Sequence, residues 1–149
     1  MSTQERLHEV RHHLEKLKAS LEYEDGVLTE QVLIALENLG YRMIRKDIYL
    51  EEDLDTLRAA TKFVITEKHA LISILDSKSP RIDKVIKEKA SMELAGWLDV
   101  AEKHKLLLDS EDLKHIKKTC IFLLRNTTNT AAMRESCGES LKLVINLDY

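Results

Sequence analysis

The chain has 149 residues, of which 44% are hydrophobic and 33% charged, with a formal net charge of −3. That is the size and balance of one domain with a buried core, and a slightly acidic chain has no sequence-wide attraction to nucleic acid. Four glycines and one proline are too few for the turns of a sandwich, barrel or doubly wound sheet, and no apolar run approaches the ~18 residues of a membrane span.

The pattern predicts an all-α single domain, residues 1–149, of about eight helices with short connections. The first helix opens on a capping box, Ser2-Thr3-Gln4-Glu5, whose hydroxyl and carboxylate satisfy free N–H groups reciprocally. Leu7, Val10, Leu14, Leu17 and Leu21 then recur at steps of 3, 4, 3 and 4, one narrow apolar seam. A seam of this kind must dock against something. Docking within the chain is expected, with a homodimer through helix 1 as the alternative, since only about two heptads are present. Residues 22–28 read as a turn with Gly26 left-handed. Thr29 is expected to cap the second helix, where Val32, Leu36, Leu39 and Met43 share a face. Gly40 either ends that helix or permits close packing. Leu50, Leu54, Leu57, Thr61 and Val64 form the third seam, behind acidic Glu51, Glu52 and Asp53 that suit a helix start. Thr66 is placed as the cap of a short apolar helix over 70–75.

Ser79-Pro80 is the clearest punctuation, a serine cap followed by proline at the first helical position. The long helix behind it carries Ile82, Ile86, Ala90, Leu94, Trp97 and Ala101 on one stripe. After a turn over 106–109, Ser110 is expected to cap a helix lined by Leu113, Ile116, Cys120, Leu123 and Leu124. A break over 126–130 precedes a short helix over 131–137, ended by Gly138, and a last one over 141–147. The first residues are polar and lack a signal-peptide core, so Cys120 and Cys137 are expected as free thiols in the cytoplasm or nucleus.

The sharpest chemical motif is His8-Glu9-Val10-Arg11-His12, a literal H-E-x-x-H. Two histidines at i and i+4 can hold one zinc, with the glutamate as general base, so a zinc metallohydrolase is one alternative to a binding function, and a homo-oligomeric structural helical protein assembled through the helix-1 seam is the other. The seam of Leu7, Val10 and Leu14 opposes it, because it turns His8 and His12 toward solvent on a charged helix. A surface helix is the better reading. His69, His104 and His115 stand alone beside lysines, and no glycine-rich phosphate loop or nucleophile triad is present. The basic clusters around Arg42, Lys84 and Lys114 are interleaved with acids, as solvated helix faces are, so no nucleic acid, membrane, metal or cofactor is expected.

Ile121-Phe122-Leu123-Leu124-Arg125-Asn126 resembles the third-helix core of an armadillo repeat, with a bulky aromatic and an asparagine four residues later. In that family the asparagine amide holds the backbone of an extended peptide, which would fall to Phe122 and Asn126 here. Leu33-Ile34-Ala35-Leu36-Glu37-Asn38 is similar, with Asn38 in the same place. Leu36, Leu94 and Leu124 are 58 and 30 residues apart, so the resemblance implies a diverged armadillo/HEAT-like helical repeat rather than a regular array. Residues 6 to about 65 also resemble the TFIIS N-terminal-domain family, in the branch of the integrase-binding domain of lens-epithelium-derived growth factor. They do so through Arg6-Leu7, Tyr23-Glu24, Ala35-Leu36-Glu37-Asn38-Leu39 and Leu57 through Lys62-Phe63. That likeness implies a helical bundle that grips short linear motifs at two interhelical loops, here Tyr23-Glu24 and Phe63-Val64-Ile65, near basic Arg58 and Lys62. Both resemblances imply a non-catalytic adaptor that binds a short segment or helix of another protein.

Overall fold

A computed structural model describes residues 3–44 and 51–148. Its elements in chain order are α1 (Thr3–Glu22), α2 (Gly26–Ile44), α3 (Glu51–Thr66), α4 (Ala70–Asp76), α5 (Lys84–Lys103), α6 (Ser110–Arg125) and α7 (Ala131–Leu147), with a 3-10 turn, Glu67–His69, between α3 and α4. No strand occurs among the described residues, and no helix there is long and apolar enough to cross a membrane. The fold is all-α, as the sequence pattern predicts.

Helical periodicity explains which faces are inside. Val10, Leu14 and Leu17 are completely buried, with Leu7 and Leu21 packed at the margins. The first seam docks on α2, α3 and α4, and a seam used inside the chain is not exposed to a second copy. The stripe of α5, from Ile86 through Ala90, Leu94 and Trp97 to Ala101, is buried throughout. This helix is the hub of the molecule, packing on α2, α3, α4 and α7, while α6 closes over α7 and α4.

Seven α-helices stand among the described residues where about eight are expected of the chain, because the last two are one. Met133, Cys137, Ser140, Val144 and Leu147 are all buried, at steps of 4, 3, 4 and 3. That stripe runs straight past Gly138, and its packing outweighs the ~1 kcal/mol a mid-helix glycine costs. Cys120 and Cys137 are free and buried.

Three helix starts differ from expectation in one recurring way. Aspartates take the caps from neighbouring hydroxyl residues and proline. Asp25 Oδ1 accepts from the Leu28 amide at 3.0 Å at the start of α2, Asp83 Oδ1 from Ile86 at 3.0 Å before α5, and Asp109 Oδ1 from Glu111 at 2.8 Å before α6. A carboxylate is the stronger acceptor and suits the helix dipole. Pro80 therefore lies in the turn before α5, and Ser110 is the first residue of α6. Thr29 sits inside α2, where its hydroxyl donates to the Asp25 carbonyl and lies 2.8 Å from Ser20 Oγ, a buried pair joining α1 to α2. Thr66 does not cap either, since its hydroxyl turns back to the Lys62 carbonyl at 2.7 Å. The chain reverses there through Lys68 and His69, with φ of 60° and 48°. The capping box at Ser2 and the position of Leu50 lie outside the described residues.

Candidate functional site

The predicted partner-binding residues are dispersed over the surface. Tyr23 and Glu24 are exposed in the α1–α2 turn, where Glu24, not Gly26, is the left-handed residue with φ 53°. They border a cleft of about 640 Å³ shared with Asp25, Glu30, Pro80, Arg81 and Asp83. Phe63 is half-buried on α3 beneath the Arg11 guanidinium, 4.1 Å from its ring centre, and Arg11 is also tied to Glu67 at 3.3 Å. Arg11 lies more than three turns back along α1 from Tyr23, roughly 18 Å by helical rise, so the two expected loops do not converge. Ile65 is only 2% exposed. It falls four residues after Thr61 on a helix that continues to Thr66, so it belongs to the core face and is closed to a partner. Arg58 is exposed and 3.7 Å from Asp55.

Phe122 is exposed on α6, off its buried stripe. Asn126 does not project from a helix beside it. It is the C-cap, with extended backbone, and its Oδ1 accepts from the Thr128 amide at 3.1 Å and from the Thr128 hydroxyl at 2.7 Å. An asparagine amide oxygen engaged in its own loop is not offered to a peptide backbone. Asn38 is exposed on α2.

On α1, His8 and His12 are exposed, opposite the buried seam, and His13 lies 3.8 Å from Glu9. No group of three or more histidine, cysteine or acidic residues is placed to share an ion among the described residues. Two histidines that look isolated in sequence do meet. His69 and His115 have ring centres 5.9 Å apart, with Asp112 at 3.3 Å from the first and Asp76 at 3.2 Å from the second.

A second concavity is one that sequence reading did not assemble. Helices α2 and α5 run side by side in the same direction, fixed at three levels. At the first, Gly26 presses on the Arg81 carbonyl oxygen so closely that a Cβ would collide with it. At the second, Lys89 Nζ is 3.3 Å from Glu30. At the third, Gly40 lies under the Trp97 ring, where a Cβ would stand 3.0 Å from Cζ2. Along this seam opens a groove of about 540 Å³, lined by Glu37, Gly40, Val85, Glu88, Lys89, Met92, Glu93, Gly96 and Trp97. Val85 and Met92 are 56% and 58% exposed, while Trp97 is 4% exposed at its floor.

Glu93 gives the groove its electrostatic character. Burial and the nearby Glu37 carboxylate push its carboxyl up to about 8, against a hydrogen bond from the Trp97 side chain that favours the anion. Its Oε1 is buried and has no hydrogen-bond partner. Three observations bear on how this site could be found from sequence. Gly40 admits close packing, Trp97 lies on the buried stripe, and Glu93 stands one turn before that tryptophan. What joins them is tertiary, since α2 and α5 are far apart in the chain.

Compared with protein-family models, with curated proteins and with solved structures, the chain matches none.

Proposed function

We propose that the chain is a non-catalytic protein-interaction domain that holds a short segment of a partner protein in the α2–α5 groove. The observation that carries this reading is the groove itself, about 540 Å³ between two helices, with exposed Val85 and Met92 on its wall and Trp97 at its floor. Apolar side chains exposed together and rimmed by charge mark interaction surfaces on soluble domains, and a groove between helices is a common seat for a partner's helix or extended anchor. The class of ligand is the one both family resemblances imply. Its seat moves from the Tyr23, Phe63 and Phe122 neighbourhoods to the flank of α5, because Ile65 is buried and Asn126 is engaged in its own loop.

Selection from a displayed library of random 12-residue peptides tests this directly. Enriched peptides are expected to bind with micromolar affinity by calorimetry. Met92→Lys and Val85→Lys should each weaken them at least tenfold, and Tyr23→Ala should leave them unchanged. Failure to enrich any peptide, or selected peptides indifferent to Met92→Lys, would remove the groove from consideration.

A further inference from the structure

We propose that the anchor this groove takes is an arginine side chain of the partner segment, its guanidinium held between Glu93 and Glu37. The inference rests on the groove being the binding seat and adds the chemistry of what enters it.

The first support is an unpaired polar atom. Glu93 Oε1 is buried and unpartnered, and a buried polar atom in that state weakens the fold until a partner reaches it. The second support is the balance of charge around it. Three acidic side chains, Glu37, Glu88 and the largely protonated Glu93, face the groove with one cation, Lys89. That lysine is engaged by Glu30 at 3.3 Å, and Glu88 accepts from the Thr130 hydroxyl at 3.3 Å. The charge felt at Glu93 is Glu37's, of its own sign. A cation is therefore the missing member of the set.

Arginine fits better than lysine for reasons of desolvation and shape. Its guanidinium keeps its charge when partly buried, is more weakly hydrated than an ammonium, and carries five donors in one plane, enough to serve two carboxylates together. Its methylene stem can lie along Met92 and Val85 while the head goes deeper. The proton balance is simple. In the free protein Glu93 is largely protonated at neutral pH, because its carboxyl sits at about 8. Entry of the guanidinium cation leaves a carboxylate–guanidinium pair and releases that proton to the buffer. The groups facing Glu93 in this exchange are Glu37, Glu88 and Lys89 in the groove, with Glu30 behind Lys89.

Trp97 is the one tryptophan of the chain, so its fluorescence and indole N–H resonance report on the pocket alone. The probes are propylguanidinium and its neutral isostere propylurea. Propylguanidinium should shift the Trp97 resonance saturably, and propylurea should bind at least tenfold more weakly. Glu93→Gln should weaken propylguanidinium at least tenfold and Glu37→Gln three- to fivefold; the second variant, on the exposed wall, keeps the test decisive if the first does not fold. Wild-type affinity should rise about tenfold between pH 6.5 and 8.5, and that of Glu93→Gln should stay flat. Equal responses to both probes, no response to either, or undiminished binding by Glu93→Gln overturns the proposal. Selected peptides that need Met92 but contain no arginine would overturn it while leaving the groove reading intact. Propylguanidinium binding with no peptide ever selected would overturn the groove reading instead.

Discussion

The seam between α2 and α5 is pinned by a glycine near each end, and the surfaces above the two glycines differ in kind. At the beginning Gly26 meets a main-chain carbonyl, that of Arg81. Main chain against main chain draws two turns together, and turns bring polar side chains. The cleft there is bordered by Tyr23, Glu24, Asp25, Glu30, Arg81 and Asp83, in contact with water. Further along, Gly40 meets an aromatic ring instead. Room for Trp97 to lie across α2 sinks α5 into the seam and takes Glu93, one turn earlier, below the surface with it. A glycine facing backbone therefore produces a solvated notch, and a glycine facing an indole produces an apolar groove with a carboxyl at reduced hydration.

The strongest way to break that contrast is to add a methyl at each glycine. Gly26→Ala drives a Cβ into a backbone carbonyl that has no rotamer to escape into. It should cost about 3 kcal/mol, the upper range for overpacking. Gly40→Ala asks the Trp97 ring to yield by a few tenths of an ångström from a 3.0 Å contact, and should cost about half as much. Urea unfolding midpoints, at unchanged slope, measure both. A larger loss at Gly40 than at Gly26 would mean that the two contacts had been ranked wrongly.

The effect at Glu93 falls between these two in size. Its carboxyl lies near 8 in the folded protein against an ordinary 4.5, so between those values the folded state holds a proton that the unfolded chain has released. The stability contributed by this group is complete below pH 4.5 and is lost as pH rises through 8. Relative to Glu93→Gln, the wild-type protein should lose roughly 2 kcal/mol between pH 5 and pH 9, a figure kept below the full shift because the residue is not wholly enclosed. Denaturation curves at the two pH values decide it. Parallel losses in both proteins would show that the carboxyl is hydrated and that the groove's polarity has been misjudged.

Much of this architecture can be read from spacing alone, and the groove cannot. The burial of Val10, Leu14 and Leu17, of the α5 stripe and of Leu113, Ile116, Cys120 and Leu123 follows from a 3.6-residue period, which is a local property. Ile65 shows how a local signal is lost by misplacing an end. Taken as a loop residue it would be available, yet four residues after Thr61 on a continuing helix it must point inward. Gly138 shows the reverse, where a strong local breaker is overruled by a buried stripe that passes it. The caps went to Asp25, Asp83 and Asp109 rather than to Thr29, Ser79 and Ser110, while the hydroxyl of Thr130 does cap α7, so residue type alone does not choose between them. Glu93 is different. Only the approach of α2, held by Gly40 on Trp97, turns an ordinary helix glutamate into a half-buried one, and no window of sequence contains both partners.

The smallest expected effect sharpens the contrast most cleanly, because it uses a third glycine in the same seam. Gly96 lies in α5 on the groove wall, exposed, and a Cβ built there meets nothing within 4 Å. If glycine matters in this seam only through close approach, Gly96 has no packing role, and its backbone freedom simply weakens the helix. Gly96→Ala should then raise stability by about 0.5–1 kcal/mol, as expected for removing a glycine from a helix interior. Its urea midpoint should move upward while those of Gly26→Ala and Gly40→Ala move downward. A loss of stability would place an unseen contact over Gly96. A gain in stability joined to weaker binding of the selected peptides would instead show that the ligand's main chain passes across this point of α5, where only a hydrogen leaves it room.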